Sequence, residues 1–137
     1  MMIQREPALE GENTMLGSVV LLLLCALTAI AGVPLILKLI PPNEIYGLHT
    51  ERAMSRTEIW FEVNRIAGWA LVAAAAITAL AVMIWSGTLL LPFWRQFLLY
   101  LVMLGAAVGA SFWYERNLDR FWKPRQRRRA PAKSGAD

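Results

Sequence analysis

The chain has 137 residues, of which 57% are apolar, and its mean hydropathy of +0.44 is too high for an ordinary water-soluble domain. Its formal net charge is +4, from 14 Lys and Arg against 10 Asp and Glu. The apolar residues cluster in long runs without strand-like alternation, which indicates membrane helices and excludes a membrane β-barrel.

Three uncharged runs, at 15–37, 66–94 and 96–114, divide the chain. Each can cross a bilayer core of about 30 Å, which takes roughly 20 helical residues. We therefore predict an all-α integral membrane protein with three transmembrane helices in one domain at 15–115, after a flexible N-terminal segment at 1–14.

The first helix is expected to end near Ile40, after a bend at Pro34. Pro41-Pro42 should stop it, because a residue before proline is pushed out of the α region. The polar stretch that follows, PPNEIYGLHT at 41–50, is rich in turn residues. The segment from there to Met54 is predicted to be an ordered loop with little regular structure.

The second helix is expected to begin at a capping box, because Ser55 and Glu58 have the S-x-x-E spacing. Beyond it, Trp60, Asn64 and Gly68 follow an i, i+4, i+8 row and so share one face. The helix should continue to about residue 86. It is then longer than the membrane core, so its first turns should stand at the membrane surface.

A short connection at 87–94 predicts a tight outer hairpin between the second and third helices, with Pro92 in the first turn of the third. The third helix is expected to end near residue 115, and a basic tail occupies 116–137. The tryptophans fall close to the expected ends of the spans, which is typical of an aromatic belt. They are Trp60, Trp69, Trp85, Trp94, Trp113 and Trp122.

Most Lys and Arg residues lie on one side of the predicted membrane. The loop after the first span and the C-terminal tail share that side, and they hold every basic residue except Arg5 and Arg95. The positive-inside rule places this side in the cytoplasm. We therefore predict a protein of the bacterial cytoplasmic (inner) membrane, with the N-terminus outside and the 41–65 loop and the tail inside.

Several classes of function are disfavoured by the residue types present. No span has an ionisable side chain at its centre, which argues against a transporter or channel built from this chain alone. His49 is the only histidine and Cys25 the only cysteine, so no disulfide, haem or protein-only zinc site is expected. The loop carboxylates match no catalytic signature, and we expect neither an enzyme nor a cofactor.

Two further patterns each allow a structural and a functional interpretation. Gly105 and Gly109 form a G-x-x-x-G that permits close helix packing, either on the second helix of the same chain or on a partner helix. A basic cluster in the tail either fixes topology or binds anionic lipid headgroups; it consists of Arg125, Arg127, Arg128 and Arg129. No folded recognition element accompanies it, so nucleic acid is not an expected partner.

The polar segment and the head of the second helix together resemble the signature of the SdpI family of integral membrane proteins. That signature joins a Pro-Asn, Tyr-Gly and Arg-Thr segment to a later W-x-x-x-N-x-x-x-G. The matching residues are Pro42, Asn43, Tyr46, Gly47, Thr50, Trp60, Asn64 and Gly68. His49 stands where the family usually has arginine, and the likeness covers about residues 18–115.

The resemblance implies a non-enzymatic membrane protein whose motif residues, His49 among them, either bind a partner or hold the loop together. Family roles include immunity to a peptide toxin and sequestration of a cytosolic partner at the membrane, and either is an expected function of the 41–68 segment. The alternative is a small accessory subunit of a larger membrane complex, docked through the third helix. The expected partners are thus the lipid bilayer, a peptide toxin or cytosolic protein, and such a complex.

Overall fold

The computed structural model describes residues 7–88 and 92–120, with side chains at 15–85 and 92–120. These residues form four helices, α1 (Pro7–Ile36), α2 (Glu51–Met54), α3 (Thr57–Thr88) and α4 (Phe93–Arg116), and no strand. Three segments are long and apolar enough to cross a membrane, namely Met15–Ile36, Thr57–Trp85 and Phe93–Arg116. The predicted all-α membrane fold with three spanning helices is confirmed.

Backbone hydrogen bonds, rather than proline, end α1. The helix stops at Ile36, and Lys38 follows in the left-handed conformation with φ 58°. The N–H groups of residues 38 and 39 donate to the carbonyls of residues 35 and 34, at 3.3 and 3.0 Å, which is a Schellman motif. The prediction that Pro41-Pro42 stop the helix is therefore wrong, because the helix has already ended when they begin.

The helices α1 and α3 cross in close contact at Gly32 and Gly68. A Cβ atom at position 32 would lie 2.8 Å from the carbonyl oxygen of Gly68, and one at position 68 would lie 2.6 Å from that of Gly32. Two backbones come this close only where side chains are absent. The crossing therefore fixes the position of α3 against α1 at the depth where the loop begins.

Two polar contacts join α4 to α1 on the side of the molecule away from the loop. Ser18 Oγ donates to Oε1 of the buried Gln96 at 3.2 Å. The hydroxyl oxygens of Thr28 and Tyr100 lie 2.8 Å apart. Because an unsatisfied polar group inside a membrane is costly, these pairs hold the first half of α4 against α1.

A short connection joins α3 to α4, as expected for a hairpin. α3 ends at Thr88 and α4 begins at Phe93, with Pro92 as its N-cap rather than in its first turn. The 32 residues of α3 extend over about 48 Å at 1.5 Å per residue, which exceeds the hydrocarbon core. One end of α3 therefore stands outside the core, and its loop-side end is where the motif residues lie.

Candidate functional site

The side chain of Asn43 folds the first part of the loop on itself. Its Oδ1 accepts hydrogen bonds from the backbone N–H groups of Ile45 and Tyr46, at 2.9 and 2.8 Å. Its Nδ2 donates to the carbonyl of Pro41 at 2.8 Å. An asparagine that binds the backbone two residues ahead makes an Asx turn, so this short segment is ordered by one side chain.

Asn64 attaches the other end of the loop to α3. Its Oδ1 accepts the N–H of Leu48 at 2.6 Å, and its Nδ2 donates to the carbonyl of Trp60 at 3.0 Å. Gly47 has φ 112°, and a Cβ atom there would lie 2.5 Å from Asn64 Oδ1. Glycine is therefore needed at position 47 both for its left-handed backbone and for the close approach of Asn64.

Trp60 lies beneath the loop and not in an aromatic belt. Its side chain is 0% exposed, and Nε1 donates to the carbonyl of Ile40 at 3.0 Å. The His49 ring packs edge-on against it at 5.5 Å between centroids, and His49 Nε2 lies 2.6 Å from the carbonyl oxygen of Asn43. The belt interpretation is wrong for Trp60 because the loop covers it completely.

Tyr46 joins the loop to α1. Its hydroxyl donates to the carbonyl of Ala31, one turn before the end of the helix. Burial raises the pKa of the Tyr46 phenol, so the hydroxyl keeps its proton and its role as donor at neutral pH. Together with Asn64 on α3, Tyr46 fixes the loop to both crossing helices.

Thr50 links the loop to α2 and to the end of α4. Its Oγ1 accepts the N–H of Ala53 at 3.0 Å as the N-cap of α2, and it donates to Oε1 of the buried Glu115 at 2.5 Å. An Arg52–Asp119 ion pair at 2.7 Å runs beside this contact. The loop was expected to have little regular structure up to Met54, and within 41–54 the structure has one turn of helix, α2, which the Thr50 cap starts.

The expected capping box at the start of α3 is also wrong. Ser55 is the C-cap of α2, and its Oγ donates to the carbonyl of Arg52 at 2.7 Å. α3 begins at Thr57, where the carbonyl of Arg56 accepts the N–H of Trp60 at 3.0 Å. Ser55 thus lies one residue too early to cap α3, because α2 uses it instead.

The structure brings the motif residues into one unit, which we call the loop platform: residues 41–50 with the row Trp60, Asn64 and Gly68 on α3. It unites Pro42, Asn43, Tyr46, Gly47, His49, Thr50, Trp60, Asn64 and Gly68. Its tip is Ile45, which is 93% exposed. The sequence reasoning missed both Ile45 and Glu115. A carboxylate at the end of an otherwise apolar helix was the available signal for Glu115.

The other residues singled out from the sequence lie elsewhere. No atom outside the helix backbone lies within 4 Å of a Cβ atom placed at Gly105 or Gly109. The second and third spanning helices do pack together within the chain, as one interpretation expected, but these two glycines take no part in that contact. The basic cluster of the tail lies outside the described residues; it consists of Arg125, Arg127, Arg128 and Arg129.

The side chains of the loop platform bind mainly to backbone atoms, in the platform itself and in the neighbouring helices. Asn43, Asn64 and Tyr46 all hold backbone atoms, and Thr50 caps a helix. Within residues 7–88 and 92–120, no group of three or more His, Cys, Asp or Glu is placed to hold a metal ion. The arrangement is thus suited to presenting a fixed surface.

Comparisons with known proteins agree with the resemblance noted in the sequence. The family model described as the SdpI/YfhL protein family matches residues 39–115, which include the whole loop platform. The uncharacterized protein YfhL of Bacillus subtilis (strain 168) is 35% identical over 89 residues, which are 63% of this chain and 73% of that protein. No solved structure matches this chain.

Proposed function

This chain belongs to the SdpI/YfhL protein family, and we propose that it is a non-enzymatic membrane protein that binds a membrane-active peptide at the loop platform and so confers immunity to it. The observation that carries the proposal is the exposed Ile45 on a backbone that is fixed on both sides. A single exposed apolar side chain on a flexible loop would mean little. Here the loop is ordered at this position, because the backbone N–H of Ile45 donates to the Oδ1 atom of Asn43.

Rigidity of this kind favours binding. A surface that is already ordered loses less conformational freedom when a partner docks. The tip carries an apolar side chain at Ile45 next to an exposed carboxylate at Glu44. In an apolar and cationic peptide lying at the membrane surface, apolar side chains could contact Ile45 and a basic side chain could pair with Glu44.

The proposal includes the location of the protein. We place it in the bacterial inner membrane with the platform and tail in the cytoplasm, because twelve of the 14 Lys and Arg lie on the platform side. Ile45→Cys and Trp94→Cys place a thiol at exposed positions on opposite sides. In intact cells, a membrane-impermeant maleimide should label Trp94→Cys alone; labelling of Ile45→Cys alone would reverse the proposed topology.

Immunity is tested by survival of cells that lack the gene when they meet membrane-active peptides. Wild-type protein should restore survival, whereas Ile45→Ser should not. Met54→Ser is the matched control, because Met54 is another exposed apolar side chain on the same side of the molecule. If no peptide kills the deletion strain more readily than its parent, the protein does not act in immunity.

The same platform is also suited to the second role implied by the family, which is sequestration of a cytosolic protein. In that case Ile45→Ser would move the bound protein from the membrane fraction to the cytosol and leave peptide sensitivity unchanged. Fractionation of cells that carry wild-type protein or Ile45→Ser separates the two roles.

One observation favours an accessory subunit as a second candidate function. α4 buries the smallest share of its residues among the three spanning helices, and its Gly105 and Gly109 face open space. A partner helix can approach closely at such a pair. Gly105→Leu with Gly109→Leu should then release the chain from a larger complex in mild detergent, whereas the exposed neighbours Ala106→Leu with Ala110→Leu should not.

A further inference from the structure

A cavity of about 230 Å³ lies directly beneath the loop platform, between the three spanning helices. Tyr46 lies over it, and small residues form much of its wall. Ala31 on α1, Ala67 on α3 and Ala107 on α4 surround it, with Leu71 and Val108 completing the apolar lining. The cavity exists because three helices supply alanine at the same depth.

The polar atoms of the lining already have partners. The Tyr46 hydroxyl donates to the carbonyl of Ala31, and the Ser111 hydroxyl donates to the carbonyl of Ala107 at 2.7 Å. An apolar cavity whose polar groups are satisfied offers water little to bind and stays dry. A ligand that fills this space is therefore apolar.

The cavity reaches the surface of the molecule that faces lipid. Val108 lines the cavity and is also 44% exposed, on a helix whose sequence is apolar enough to span the membrane. Farther from the loop, the contact of Thr28 with Tyr100 joins α1 to α4. The opening between these two helices thus lies at the loop side, with its mouth at Val108.

We propose that this cavity binds one acyl chain of a membrane phospholipid. The chain enters sideways past Val108, and its end lies among Ala31, Ala67 and Ala107 beneath Tyr46. The occupant follows from the position of the mouth, because acyl chains surround a spanning helix at this depth. Filling an apolar void of this size restores dispersion contacts that its lining otherwise lacks.

The test uses the full chain in vesicles of phosphatidylcholine and phosphatidylglycerol with a trace of phospholipid that carries a photoactivatable group in one acyl chain. After illumination, peptide mass spectrometry locates the label. Lipid around the protein reaches only exposed residues such as Val102, whereas a chain in the cavity also labels the buried lining residues Leu35 and Ala67. We expect label at both kinds of position.

Two variants fill the cavity from opposite walls. Ala107→Leu on α4 and Ala31→Leu on α1 should each abolish label at Leu35 and Ala67 and leave label at Val102 unchanged. Ala106→Leu is the matched control, because Ala106 precedes Ala107 but is exposed, and it should label like wild type. Circular dichroism and size-exclusion chromatography show whether each variant keeps its fold, and having two variants protects the test against one that misfolds.

Two results would overturn the proposal. Label confined to exposed residues in the wild-type protein would mean that no acyl chain occupies the cavity, leaving it to an apolar side chain of a protein partner. If both Ala107→Leu and Ala31→Leu fold and still show label at Leu35 and Ala67, the label does not come from an acyl chain in the cavity. Neither readout involves peptide binding, so the outcome is independent of the proposed immunity.

Discussion

Asn64 connects the loop platform to the membrane-spanning part of the molecule through one side chain. It is 2% exposed, and its amide group binds the backbone of the loop on one side and of its own helix on the other. A buried amide that loses its partner costs more than the bond itself is worth, because the remaining group stays unsatisfied. Asn64 is thus sensitive to substitution by alanine, beyond the loss of the hydrogen bonds themselves.

We expect Asn64→Ala to lower the free energy of unfolding by about 1–3 kcal/mol, because it leaves the partly buried N–H of Leu48 without an acceptor. Asn117→Ala is the control. Asn117 Nδ2 donates to the carbonyl four residues earlier, at 2.8 Å, as Asn64 does, but this bond is exposed, and its loss should cost less than about 0.5 kcal/mol. Thermal unfolding in one mild detergent compares the two, and equal losses would contradict the anchoring role.

Tyr46 gives the platform a dependence on alkaline pH. Burial raises the phenol pKa of Tyr46 in the folded chain, so the folded state holds the proton more tightly than the unfolded state does. The stabilisation is complete below the unfolded pKa of about 10 and is lost as the pH rises through the folded value. Tyr46→Phe removes the titrating group and the hydrogen bond to Ala31.

The difference in Tm between wild type and Tyr46→Phe should therefore stay constant between about pH 7 and 9 and shrink above about pH 10. Other groups that titrate in this range are present in both proteins and largely cancel in the difference. A difference that is the same at about pH 9 and 11 would show that Tyr46 does not ionise differently in the folded chain.

Between elements, the crossing of α1 and α3 leaves no room for a side chain. A Cβ atom at Gly68 would meet the backbone oxygen of Gly32, which cannot move without moving the helix. Gly68→Ala should therefore destabilise the protein by about 1–3 kcal/mol, the usual cost of overpacking.

Gly109→Ala is the matched control on α4, where nothing lies near the added methyl group. Because alanine favours a helix more than glycine does, this change should stabilise the protein by up to about 1 kcal/mol. The prediction is thus a difference in sign, measured by thermal unfolding of the two variants under the same conditions. Destabilisation by both would indicate that α4 packs on a second molecule at Gly109.

The ends of the elements were harder to predict than the elements themselves. Uncharged runs of about 20 residues are sufficient to indicate spanning helices, and these are confirmed. α1 ends at a residue in the left-handed conformation, and that residue is Lys38. A glycine or asparagine at this position would have predicted the helix end from the sequence, whereas a lysine does not. The start of α3 was misplaced because Ser55 could cap either of two helices. In the structure it is the C-cap of α2 and not the N-cap of α3.

For the whole molecule, the contact between Thr50 and Glu115 closes the loop platform against the end of α4. We expect Glu115→Ala to speed hydrogen exchange of the backbone N–H groups in α2, because Thr50 loses the side chain that holds it in place. Glu58→Ala is the control, since Glu58 is an exposed carboxylate on the same side. Equal exchange in both variants would mean that α4 does not hold the platform.

The order of the elements and the faces of the helices could be predicted from the sequence, but the contacts between distant elements could not. The row of Trp60, Asn64 and Gly68 follows from helical spacing alone, and its members do share a face toward the loop and α1. The partner of Thr50 could not be predicted, because Glu115 lies 65 residues away. No local pattern encodes such a distant contact, and only the packing of α4 on α3 brings it about.

The backbone contacts of Asn43 and Asn64 have a consequence for substitutions at position 45. Both asparagines grip main-chain atoms around Ile45, and main-chain atoms are the same whatever side chain they carry. The identity of residue 45 is thereby uncoupled from the folding of its holder. The side chain at position 45 can therefore be replaced without altering the hydrogen bonds that hold the loop in place.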